Sequence, residues 1–300
     1  MVSVGAPPVD TLEVNHESVS DSSPDEDGST MATGVSLSSY HTNVGGDRMI
    51  DCESITEVLE QLADDPRIDE RYIRCIDPTD NLGAVLLLGV VHDHPASEYR
   101  VRRVLEHLQP DILALELPPL AVSLFSLYAD DPEVPPQLGG EMSTAIQGSD
   151  ADVIGIDAPN WRYLKLLFNR WRTGSVGSDV GRPLLRDIVR SSVHSIVTLI
   201  GAYIGSITPY RLRLYSPIRY EISPFDPAED QAHHEGSHIE KREAFLNAIE
   251  MPPVINIIDE LREEAMIDRL NELRRTGTLV GVIGMEHLAP VHTGLSQGHD

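Results

Sequence analysis

Residues 84–92 read Ala84-Val85-Leu86-Leu87-Leu88-Gly89-Val90-Val91-His92, an uninterrupted apolar run that closes on one titratable side chain. A short, β-branched run without polar alternation is the pattern of a strand buried on both faces, as in a parallel sheet. Three further runs repeat the theme: residues 111–115 end on Glu116, 152–156 on Asp157, and 278–285 on Glu286 and His287. Stretches of helical periodicity separate them, such as Val101, Val104, Leu105 and Leu108 within residues 97–108. Alternating strand and helix predicts an α/β fold with a mainly parallel central sheet flanked by helices. Open sheets of this kind bind ligands beyond the carboxyl ends of their strands. Two histidines and two carboxylates should therefore reach one rim.

The chain has 300 residues and a formal charge of -25, from 23 basic and 48 acidic side chains. Such a surface repels nucleic acid, anionic membranes and acidic substrates at ordinary salt. Lysine occurs only at Lys165 and Lys241. This acidic, lysine-poor balance suits a halophilic protein, whose self-repulsion molar salt screens to about 3 Å. Cys52 and Cys75 are the two cysteines, too few for a disulfide framework, and two reduced thiols are expected in a cytosolic protein. No basic stretch precedes an apolar run at the start, so cytoplasmic localisation is the expectation.

Residues 1–47 are rich in Ser, Gly and acids and read as a disordered acidic tail; residues 48–300 read as one domain. Within it, Ser54 is expected to cap a helix to about residue 63, with Glu57 closing a capping box. A strand at 71–77 and a right-handed βαβ unit through residues 84–116 follow. Helices are expected at 117–125, 141–147, 164–171 and 254–273. A helical insertion at about 183–250 lies between the third and last core strands. Residues 191–210 are uncharged over nearly a bilayer-spanning length. Their serines, threonines, glycines and Pro209 favour a buried or paired helix, such as a homodimer face, over a membrane span. After His287 an irregular tail is expected.

Gly89-Val90-Val91-His92 and Gly284-Met285-Glu286-His287 repeat the pattern G-x-x-H. Glycine admits close approach of backbone or ligand, and histidine supplies a nitrogen ligand or a base near pH 7. Glu116 and Asp157, at strand ends, need partners if buried: arginines, or a metal ion. Position alone makes Glu141 and Arg262 ordinary surface residues on helices. His234-Glu235-Gly236-Ser237-His238 matches the zinc signature H-E-x-x-H. Its Gly-Ser centre and charged flanks instead predict a solvated polar segment. No G-x-G-x-x-G, phosphate-binding loop or G-x-S-x-G elbow occurs, against nucleotide and serine-hydrolase chemistry.

The order of motifs resembles the TraB/PrgY (pheromone shutdown) family, related to the GumN and TIKI proteins. The matching stretches are 88–92, Pro110-Asp111-Ile112-Leu113-Ala114-Leu115-Glu116-Leu117, 141–146, Ile154-Gly155-Ile156-Asp157-Ala158-Pro159, Arg262-Glu263-Glu264-Ala265-Met266 and 282–288. The resemblance implies a metal-dependent hydrolase of peptidase type acting on a peptide or small amide. It places His92, Glu116 and His287 at the centre of a metal site, with Glu141, Asp157 and Arg262 in support; histidine plus carboxylate suits Zn, Mn, Co or Fe. The alternative is a non-catalytic regulator that binds a peptide or metal. Leu120 and Ala121 stand where the family carries an arginine, and Ala158 stands within its Asp-Arg-Pro.

Overall fold

The computed structural model describes residues 51–79, 81–173, 197, 217–249, 253–275 and 277–297. The expected acidic tail and, Val197 apart, residues 174–216 with the 191–210 stretch lie outside them. Among the described residues no helix is long and apolar enough to cross a membrane.

The five strands are β1 (Ile73–Ile76), β2 (Val85–Val90), β3 (Ile112–Leu115), β4 (Asp152–Gly155) and β5 (Leu279–Gly284), in the order β1-β2-β5-β3-β4. All pairings are parallel except β1 with β2. The architecture is thus α/β with helices on both faces. β2 and β5, the central pair, are buried along their whole length, which is why their sequences show no polar alternation. The βαβ unit skips a position: β5, from the end of the chain, lies between β2 and β3.

Period-two alternation divides the core between two faces. Leu86, Leu88, Leu113, Leu115, Val280 and Val282 pack with Val101, Val104 and Leu105 of α2 (Pro95–Leu108) and with Met142 and Ala145 of α4 (Gly140–Gln147). The opposite face sets Val85, Leu87, Ala114 and Ile283 against Met266 and Leu270 of α7 (Pro253–Leu273). It also meets Leu288 and Val291 of α8 (Met285–Gln297). α3 (Val122–Ala129) and α5 (Trp161–Arg172) follow β3 and β4, and α6 (Ala228–Ala248) precedes α7.

Several local expectations change. α1 (Cys52–Leu62) is capped by Asp51, whose carboxylate accepts the Ser54 N–H at 2.9 Å. Ser54 is inside the helix. Cys52 and Cys75 are joined in a disulfide, with Cα atoms 5.8 Å apart, because α1 folds back beside β1. Disulfides persist in oxidising surroundings, so the cysteines no longer argue for a reducing compartment. The stretch after His287 is helix α8, not an irregular tail, since Leu288, Val291 and Leu295 share a buried stripe. α3 begins at Val122 because Pro118 and Pro119 make the turn after β3.

Leu87 is fully buried, and its Cδ2 already lies where a side chain on Gly281 would sit. Leu87→Ala should cost about 2–5 kcal/mol by leaving a cavity in a site that cannot collapse. Denaturant unfolding in molar KCl measures it, with an unchanged m-value expected.

Candidate active site

β2, β3, β4 and β5 all end at one rim, and the helices that follow them deliver the polar groups. His92 lies just past β2, next to Asp93, whose φ of 58° turns the chain sharply. The first turn of α4 supplies Glu141, which is 1% exposed. One of its oxygens meets His92 Nδ1 at 2.6 Å, and the other accepts the Asp93 N–H at 2.8 Å. Gly140 is required there: its φ is 51°, and a Cβ would come within 2.3 Å of Asp93 Oδ1. Glu141 is therefore a buried clamp and not the surface residue expected.

Glu116 follows β3. Its Oε2 accepts the Gly284 N–H at 2.5 Å and its Oε1 accepts Arg262 Nη2 at 2.7 Å. The same guanidinium, from α7, forms a two-point pair with Asp157: Nε to Oδ1 and Nη2 to Oδ2, both 2.9 Å. Arg262 thus joins the ends of neighbouring strands, against the surface placement expected of it. His287 stands in the first turn of α8, with Nδ1 2.9 Å from Glu263 Oε1. Its Nε2 is buried without a hydrogen-bond partner and faces Glu116 Oε1 at 3.5 Å. A Cβ on Gly284 would touch Glu116 Oε2, His92 Nε2 and the Glu286 carboxyl at 3.2, 3.5 and 3.6 Å. Hence Glu116, Asp157, Arg262 and His287 form one network, and the His92–Glu141 pair lies beside it across Gly284.

No protein-family model, curated protein or solved structure matches the chain.

Burial would lower the His92 imidazole, but the Glu141 hydrogen bond and charge, reinforced by Glu116 and Glu286, push it up to about 9. His287 moves up likewise, burial being outweighed by Glu263 and Glu116. Burial and the Asp157 charge raise Glu116, against the pull of His287 and Arg262. In the neutral form of each ring, with Nδ1–H donating to its carboxylate, Nε2 presents a lone pair. For His287 that lone pair faces a carboxylate oxygen, and two acceptors 3.5 Å apart need a proton or a cation between them.

Histidines that bind metals usually donate their other N–H to a carboxylate, and both histidines here are held that way. Two imidazole nitrogens and a carboxylate suit Zn, Mn, Co or Fe. The orphaned His287 Nε2 fits such an ion. Among the described residues, however, no three such side chains are yet gathered as a metal cage, and Arg262 already engages Glu116.

Three further residues escaped the sequence reading: Glu263, Arg242, which pairs at 2.8 Å with the Glu286 that ends the last apolar run, and Tyr220, whose hydroxyl donates to the His92 carbonyl at 2.8 Å. Glu263 at least adjoins Arg262 in sequence. Arg242 and Tyr220 carry no local signal.

The H-E-x-x-H segment is helical within α6, and Glu235 and Gly236 are buried; it is not the solvated segment expected. Its chemistry is nevertheless not that of a zinc protease. Glu235 is fully buried, ion-paired with Arg100 and hydrogen-bonded by Ser97. His94 Nδ1 accepts the Ala96 N–H at 3.2 Å, so its Nε2–H donates to His234 Nδ1 at 3.0 Å. That occupies one nitrogen of His234 and makes the other a donor. The cluster is instead a brace for the end of β2: Ser97 Oγ accepts the Val91 N–H at 2.8 Å, and Arg100 donates to the Gly89 carbonyl at 2.9 Å.

Glu235→Gln leaves the Arg100 charge buried and uncompensated and should cost about 3–5 kcal/mol, read from the unfolding midpoint. A second expectation concerns pH in metal-free protein. The His92 pKa is raised on folding from 6.5 to about 9. Its contribution to stability is therefore complete below pH 6.5 and is lost as pH rises through 9. His92→Ala should flatten the fall in stability between those values, as followed by denaturant titration across the range.

Proposed function

We propose that the chain is a hydrolase of the TraB/PrgY type, acting on a peptide or small amide with a divalent metal ion. The observation that carries this reading is the pairing of two imidazoles, each fixed at Nδ1 by a carboxylate and each presenting Nε2 to the surroundings of Glu116. His92 and His287 would hold the ion, with Glu116 as the third donor or as the base beside it. The bound ion would polarise the scissile carbonyl and acidify a water molecule. Glu116, raised by burial, is suited to take the proton that attacking water loses and return it to the departing amine nitrogen. Water's oxygen ends on the carbonyl carbon as the C–N bond breaks, so atoms and charge balance. Arg262 keeps Asp157 and Glu116 from repelling each other. Glu141 and Glu263 hold the imidazole planes.

A specific feature favours the non-catalytic alternative, a regulator that binds a peptide or metal: Arg262 already satisfies both Glu116 and Asp157. A cluster saturated in this way can bind without turning over. A halophilic, cytoplasmic setting and a homodimer remain part of the proposal, resting on composition and on residues 191–210.

Elemental analysis of protein purified in molar KCl separates the readings. Stoichiometric metal should be present in the wild type and in His234→Ala, and absent in His92→Ala and His287→Ala. Loss in His234→Ala alone would transfer the metal to α6 and remove the basis of the proposal. Metal retention without cleavage of any member of a peptide library would leave the binding reading standing.

A further inference from the structure

β4 is the outer strand of the sheet, with β3 as its one neighbour among the described residues. The Asp152 N–H donates to the Asp111 carbonyl and the Ile156 N–H to the Leu115 carbonyl. Alternation then turns the main-chain groups of Val153 and Gly155 away from β3. Both residues line an open groove of about 410 Å³. Its apolar lining includes Pro119, Val122 and Trp161, which is 79% exposed. Arg162 and Arg269 also line it, and both bind the same carboxylate oxygen of Glu272. Two guanidinium groups sharing one carboxylate leave local positive charge in a chain of net charge -25.

A sheet edge of this kind pairs with an extended chain, whose amides complete the ladder while alternate side chains fill the walls. We infer that a carboxylate-bearing extended peptide docks as an added strand along β4, with its acidic group at Arg162 and Arg269. The inference deepens the proposed hydrolase reading and rests on it for its purpose: Asp157 lies two residues past Gly155, the end of β4, within about 7 Å of it. A peptide paired with β4 would therefore run toward the Asp157–Arg262 pair at the rim. The exposed Trp161 offers an apolar surface to the peptide's side chains, and the charge at the groove selects against basic segments.

Binding is tested with a pooled library of acetylated hexapeptides with free carboxyl termini, recovered with the metal-free His92→Ala protein and identified by mass spectrometry. That variant separates docking from turnover. The expected result is retention of peptides with β-branched residues at alternate positions and an acidic residue or terminus. Val153→Pro removes one outward N–H without touching the β3 ladder, a substitution that edge strands tolerate. It should weaken retention about tenfold, the value of roughly one main-chain hydrogen bond, whereas Val153→Ala should not. Should Val153→Pro unfold the protein, the same library N-methylated at alternate amides asks the question of the Val153→Ala protein and should be lost. Arg162→Ala with Arg269→Ala should abolish the acidic preference. Retention indifferent to Val153→Pro and to N-methylation overturns the inference. So does a dimer that dissociates on Val153→Pro with no peptide retained, which would assign the edge to a second copy of the chain. Edge-dependent retention by a protein that never cleaves peptides leaves the docking site in place and removes only the hydrolase.

Discussion

Arg262 is the charge on which the rim depends. β3 and β4 are neighbours, so Glu116 and Asp157, one residue and two residues past their ends, are brought together by the sheet itself. Two carboxylates so placed repel, and the Asp157 charge is one of the causes that raise Glu116. A planar guanidinium with a fixed fork of donors can serve both at once, as a lysine ammonium cannot. The two-point pair with Asp157 aims the remaining Nη2 contact at Glu116. Because Arg262 sits on α7, whose Met266 and Leu270 pack under the sheet, the charge balance of the site is tied to the packing of the core.

The histidines follow a second constraint. Each G-x-x-H stretch leaves the sheet at its centre, β2 or β5, and each imidazole then meets a carboxylate from a helix that is far away in sequence. Glu141 and Glu263 fix the rings and supply negative charge close enough to overcome burial. The resulting cluster is rich in acid, and among the described residues the buried His287 Nε2 has no hydrogen-bond partner and lies 3.5 Å from Glu116 Oε1. That combination is costly for a purely structural network and serviceable for one that takes up a proton or a cation.

The H-E-x-x-H segment shows how little a spacing means without its surroundings. The i, i+4 histidines and the glutamate are on a helix, as the signature requires. The glutamate is nevertheless neutralised by Arg100, and one histidine nitrogen is occupied by His94. The energy of that buried pair goes into holding the strand end that presents His92. A sequence with the same spacing but an apolar residue in place of Arg100 would have very different chemistry.

The strands were legible because a buried strand writes its environment into four to eight consecutive residues, as 84–91 and 278–285 do. Likewise, a titratable residue ending such a run is already near the rim, so His92, Glu116 and Asp157 could be nominated without coordinates. The nomination of Glu141 and Arg262 came from motif order and not from any local pattern. Tertiary structure alone decided the rest: that β5 enters between β2 and β3, that Cys52 meets Cys75, that Glu141 is buried, and that Glu235 belongs to Arg100. The reason is physical. Burial of apolar side chains is additive and local, so it leaves a periodic trace, whereas a buried charge is stable only through a partner whose identity depends on how distant elements pack.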